Sequence, residues 1–203
     1  MLAKVEWLDE PYARWMLEAA AKYNGEVIVY SHEIGQEVRK RYGMPIILST
    51  SHVLETAQEV NKALETYDVV VLNYNHHKNP EYLKAIKCPG RTEIMVDERC
   101  MQNCPNRTGH HMMVSKSQLS ERMLQIRCLH KEGTPRFTNA EIRKLVNEFQ
   151  INNFKIVGRH LGGIVNGKYL PLDVLLDDII YYLILPEYRD KVKKDINEKF
   201  YKG

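Results

Sequence analysis

Val27 to Ser49 reads VIVYSHEIGQEVRKRYGMPIILS, and this stretch decides the fold class. Val27–Ser31 is a short apolar run rich in β-branched residues. Glu33–Tyr42 then places Ile34 and Val38 four apart, a helical spacing, and Pro45–Ser49 is a second short apolar run. Short Val/Ile runs without polar alternation suit strands buried on both faces, as in parallel sheets. A strand, a helix and a strand in that order form a right-handed βαβ unit.

The same rhythm continues outward. Asp68–Asn73 (DVVVLN), Thr92–Asp97 (TEIMVD), Met123–Arg127 (MLQIR) and Asn153–Val157 (NFKIV) are further strand candidates, giving six. Helices are expected at Asp9–Tyr23, at His52–Glu65 with Val53, Ala57, Val60 and Leu64 on one stripe, and at Asp173–Leu185. A further helix, Thr138–Phe149, is expected to start on a capping box of Thr138 and Glu141. The expectation is one α/β domain over residues 1–203, with a helical segment at 1–26 and βα units from 27 to 203.

The 203 residues, 44% hydrophobic and 27% charged, are enough for one such core. A net charge of +3 gives no support to non-specific nucleic-acid binding. The N-terminal MLAKVEWLDEPY carries acidic residues where a signal peptide has its apolar core, and no apolar run reaches the roughly 20 residues of a membrane span. A cytoplasmic protein is expected, without structural disulfides.

One connection breaks the rhythm: Glu98–Arg122, ERCMQNCPNRTGHHMMVSKSQLSER, follows the carboxyl end of a strand. Parallel α/β folds place their sites there, and loops this long are usually functional. Cys100 and Cys104 form a C-x3-C pair in it, Cys128 follows the next strand, and Cys88 precedes the strand leading in. Thiolates are the preferred ligands of iron–sulfur clusters and zinc. Cys100, Cys104 and Cys128 are therefore candidate metal ligands, with Cys88 a weaker fourth because it lies at the amino end of its strand. The competing reading is of small buried apolar residues. A radical-type motif is not supported, because Arg107 stands where a third cysteine would continue C-x3-C-x2-C.

His110 and His111 follow the cysteine pair, and His76 and His77 follow DVVVLN; each pair is either a set of ligands or an ordinary loop pair. Lys155 alternates with Phe154 and Ile156, so it is expected to point to the sheet interior and meet a carboxylate, Asp97 or Glu98. His32-Glu33 begins an H-E-x-x-H pattern, but Gln36 occupies the second histidine position, and nucleophile-elbow and Walker motifs are absent.

MVDERCMQNCPNRTGHH (residues 95–111), INNFKIVGR (151–159) and LLDDIIYYLILPEYRDKV (175–192) together resemble peptidase family U thirty-two, the collagenase-like family, from about Val27 onward. The resemblance implies a TIM-type barrel. Against the family pattern the first barrel strands are missing, so the expectation is an N-terminally shortened, partial or modified TIM-type barrel of about six parallel βα units. It also implies a four-iron cluster on Cys100, Cys104 and Cys128, with Arg107, His111, Lys155 and Arg159 as polar site positions; Glu98 joins these candidates as the expected partner of Lys155. The implied chemistry is a hydroxylation or other modification reaction. Zinc is the alternative metal, held by Cys100, Cys104 and His111 in a hydrolase. A non-catalytic binding or assembly module is the other alternative. An unpaired first strand would then be covered by the Asp9–Tyr23 helix through Trp15, Met16 and Ala19, by a second copy in a homodimer, or by a partner chain completing the barrel.

Overall fold

The computed structural model describes residues 5–96, 102–105, 107, 109, 137–156, 164–165, 168–169, 186–192 and 194. The chain divides into two compact units, Met1–Met95 with Arg143–Phe154, and Val96–Ile142 with Lys155–Gly203.

The first unit carries an α/β fold. Helix α1 (Pro11–Lys22) precedes β1 (Val27–Val29), α2 (His32–Tyr42) and β2 (Ile46–Leu48). Then come α3 (Ala57–Ala63), β3 (Val69–Val71), α4 (Pro80–Lys84) and β4 (Thr92–Met95). Helix α5 (Asn139–Phe149) leads into β5 (Asn153–Lys155). The strands form one parallel sheet in the order β1-β2-β3-β4-β5, so five of the six expected strands are present. The order follows the chain without reversal, whereas a doubly wound sheet reverses at a switch point. The expected strand Met123–Arg127 and helix Asp173–Leu185 lie outside the described residues.

Register defines the two faces of the sheet. Val29 pairs with Leu48, Leu48 with Val70 and Val70 with Thr92, so these four share a face. All four are buried. Helix α2 lies against this face. A Cβ on its Gly35 would stand 3.1 Å from Val29 Cγ2 and 3.3 Å from Ile46 Cδ1, so glycine permits the close approach. The opposite face carries the row Ile28, Ile47, Val69, where Ile28 is 46% exposed.

Helix α1 packs by Leu17 into a cluster with Leu8, Ile34, Val38 and Met44, flanked by Ala20 and Ala21. The expected packing face of Trp15, Met16 and Ala19 is wrong: Trp15 is 63% and Met16 48% exposed, and Ala19 is half-buried. Ala13 and Leu17, four apart on one face of the helix, are the buried positions.

The expected helix His52–Glu65 begins only at Ala57. Ser49 caps a short turn at Thr50–His52, and Val53 then adopts φ 46°, ψ 61°, which no helix tolerates. Thr56 restarts the helix with a capping box to Glu59. Ala57, Val60 and Leu64 are buried as expected, but Val53 is 44% exposed. The capping box of Thr138 and Glu141 at α5 is present, with Thr138 N donating to Glu141 Oε2 at 2.7 Å and Glu141 N to Thr138 Oγ1 at 3.2 Å.

In the second unit, Val96 N donates to Lys155 O at 3.0 Å, and Phe137 N to Val96 O at 3.0 Å. Strands β6 (Ile164–Val165) and β7 (Lys168–Tyr169) form an antiparallel pair.

Candidate functional site

The carboxyl-terminal end of β1, β2 and β3 gathers polar side chains on three successive βα connections. Parallel sheets present their sites there because the strand ends release the chain into loops at one edge.

After β1, the Tyr30 carbonyl accepts from His52 Nε2, and the two rings lie 5.0 Å apart. After β2, Thr50 Oγ1 donates to Leu72 O at 3.0 Å, tying this connection to the end of β3. Glu55, on the same connection, meets His76 Nε2 at 2.8 Å. His76 in turn stacks on Tyr82, with ring centroids 4.7 Å apart, and Tyr82 Oη donates to Leu54 O at 3.2 Å. Burial pushes the Tyr82 phenol far above its ordinary value, and the Glu55 and Glu59 carboxylates add to the rise. Tyr82 is therefore a fixed neutral donor.

After β3, His77 is 2% exposed and its Nε2 donates to Leu72 O at 3.2 Å. Asn73 is equally buried. Its Oδ1 accepts from Asn75 N at 3.1 Å, while its Nδ2 is buried with no hydrogen-bond partner. An unmet buried donor costs about 1–3 kcal/mol. Val53, on the neighbouring connection, adds backbone strain, since a β-branched residue at positive φ is a real outlier.

Several residues expected from sequence are placed. His76 and His77 do lie at the carboxyl end of β3, His76 on a carboxylate and His77 on a backbone carbonyl. Cys104 is a buried thiol outside any disulfide, and Arg107 N donates to its carbonyl at 3.2 Å, so these two sit one turn apart. Cys88 is a free, exposed thiol before the turn Pro89–Arg91, at the amino-terminal end of β4. Lys155 is half-buried in β5. Asp97, Glu98, Cys100, His110, His111, Cys128 and Arg159 lie outside the described residues.

Among the described residues no group of three or more His, Cys, Asp or Glu side chains is placed to hold a metal ion. No described helix is long and apolar enough to cross a membrane. Thr50, His52, Glu55, Asn73 and Tyr82 are site residues that the sequence did not point to. The position of Asn73 at the end of DVVVLN was the available signal. Nothing in the spacing couples Glu55 to a histidine 21 residues on.

No family model, no curated protein and no solved structure matches the chain.

Proposed function

We propose that this chain is an iron–sulfur protein built on a partial TIM-type barrel of about six βα units, resembling peptidase family U thirty-two and acting in a hydroxylation or related modification reaction in the cytoplasm. The observation that carries the reading is Cys104, a buried thiol outside any disulfide, on the segment that follows β4 in the chain. The unreversed strand order supports the barrel-type arc.

In this reading Cys100, Cys104 and Cys128 supply the thiolates, a donor set whose softness fits a four-iron cluster. Burial of Cys104 fits a ligand that must be kept from solvent. Cys88, exposed at the amino-terminal end of β4, supports no part in the same site. A bound cluster would supply electron transfer or an open iron position. The candidate polar groups Glu98, Arg107, His111, Lys155 and Arg159 would bind and orient the substrate beside it.

Purification without oxygen, followed by iron, sulfide and zinc analysis, tests this. The expected result is a brown protein with about four irons and about four sulfides per chain, lost in Cys104→Ser. One zinc and no sulfide would replace the reading with a Cys100, Cys104, His111 hydrolase site. Absence of both from a freshly prepared anaerobic sample would overturn it. A second reading, a non-catalytic assembly module, is favoured by one observation: among the described residues β1 is an edge strand, and its Ile28 side chain is 46% exposed.

A further inference from the structure

We propose that two copies of this chain join through the outer edge of β1, pairing antiparallel about a two-fold axis at Ile28. The inference sharpens the assembly reading just given, rests on the open edge of β1 and is independent of any cluster.

The hydrogen bonds of β1 fix which backbone groups face outward. Val27 N donates to Pro45 O at 3.1 Å, and Ser49 N donates to Val29 O at 2.9 Å, so Val27 and Val29 turn their amide groups toward β2. Alternation then directs both the N–H and the C=O of Ile28 to the opposite side, together with the Glu26 C=O and the Tyr30 N–H. None of these four groups has a partner among the described residues.

The pattern is its own complement. In a hydrogen-bonded antiparallel pair, two facing residues exchange both backbone bonds. A two-fold axis at Ile28 lets Ile28 exchange both with Ile28 of the second copy. Each Tyr30 N–H then reaches the Glu26 carbonyl across the axis. The side chains agree with that register. Ile28, 46% exposed, meets its own copy, and Tyr30, 51% exposed, lies across from Glu26. The like-charged Glu26 pair is kept apart. The devices that blunt natural edges are also missing, for no lysine, proline or bulge occurs in Val27–Tyr30. An axis perpendicular to the sheet sets both Ile28 side chains on the same face, about 5.5 Å apart at Cα. That separation is within disulfide reach.

The test uses the full chain in three forms, measured by size-exclusion chromatography with light scattering at micromolar concentration. The wild type is expected at twice the 23.8 kDa chain mass. Ile28→Lys sets two ammonium groups against each other and should weaken dimerisation by at least about tenfold. Ile28→Cys, mildly oxidised and digested, should give a disulfide linking position 28 of the two chains. A monomeric wild type overturns the proposal. So does a dimer that survives Ile28→Lys and gives no cross-link at position 28, since it would use another surface. The cross-link keeps the proposal falsifiable if Ile28→Lys fails to fold. Iron and sulfide content of the same wild-type sample reads the cluster separately, so either idea can fail alone.

Discussion

At the amino-terminal end of the sheet, Arg91 donates to the carbonyls of Leu64, Tyr67 and Asp68 at 2.9, 2.6 and 3.0 Å. The Asp68 carboxylate accepts from Ile46 N at 2.9 Å and from Arg39, whose other nitrogen donates to Thr66 O at 2.7 Å. Asn153 Nδ2 donates to Gly90 O at 2.9 Å and Thr92 O at 3.2 Å, binding β5 to β4. At the carboxyl-terminal end, Asn73 keeps a buried amide hydrogen-bonded on one side only, and Val53 holds a left-handed backbone. Among the described residues both ends hold left-handed backbone, at Asn24 and Gln150 before β1 and β5 and at Val53 after β2, but only Val53 is β-branched, and the unmet buried donor, Asn73 Nδ2, lies at the carboxyl-terminal end. Stability and function commonly divide in this way in parallel α/β folds, because strain persists where binding needs it and the rest of the structure holds it in place.

The comparison breaks if the amino-terminal clasp proves weak. Asp68→Ala leaves the Ile46 N–H without its acceptor, and Ile46 is fully buried. A loss of about 2 kcal/mol is expected, read as a lowered denaturation midpoint at unchanged slope. Burial raises the Asp68 carboxyl, but the Ile46 N–H, the Arg39 hydrogen bond and the charges of Arg39 and Arg91 together hold it below its usual value. A carboxyl depressed by folding stabilises above its unfolded pKa and stops doing so as pH falls through the folded one. The gap between wild type and Asp68→Ala should therefore close in acid, below about pH 4. A gap independent of pH would remove the ionic part of the clasp.

The carboxyl-terminal end is sharpened by two smaller effects. Val53→Gly should raise stability by about 1 kcal/mol, because glycine adopts φ 46° without steric cost. Destabilisation would mean that Val53 is held by packing rather than strained. Asn73→Ala should cost less than about 1 kcal/mol despite the complete burial of the side chain, since it deletes an unmet donor along with the bond to Asn75. A loss larger than that of Asp68→Ala would reverse the contrast between the ends.

The strands were legible because Val-Ile-Val, Ile-Ile-Leu and Val-Val-Val have no surface reading. Helix α2 was legible from Ile34 and Val38, and the cap of α5 from Thr138 and Glu141. Misreadings came where a spacing had two explanations. Val53 stands four residues before Ala57 and so continues the helical stripe, although Thr56 and Glu59 already mark a helix start. In α1 size alone favours Trp15 and Met16, but the cluster with α2 takes Leu17 with Ala20 and Ala21. Within the candidate site, His76 was visible from its place after a strand. Its partner Glu55 was not, because side chains that meet across two connections leave no periodic trace.

The unreversed strand order bears on how the molecule forms. Among the described strands, each of β1 to β4 pairs with the next one in the chain, and Ile47 and Val69 are only about twenty positions apart. Joining β5 to β4 is different: the contact of Asn153 with Thr92 spans 61 positions. Loop-closure entropy grows with the logarithm of length, so the longer span adds only about 1 kcal/mol. The first four strands can assemble in order during synthesis. The final strand docks on a completed template, and additions between them should slow folding little and leave its outcome unchanged.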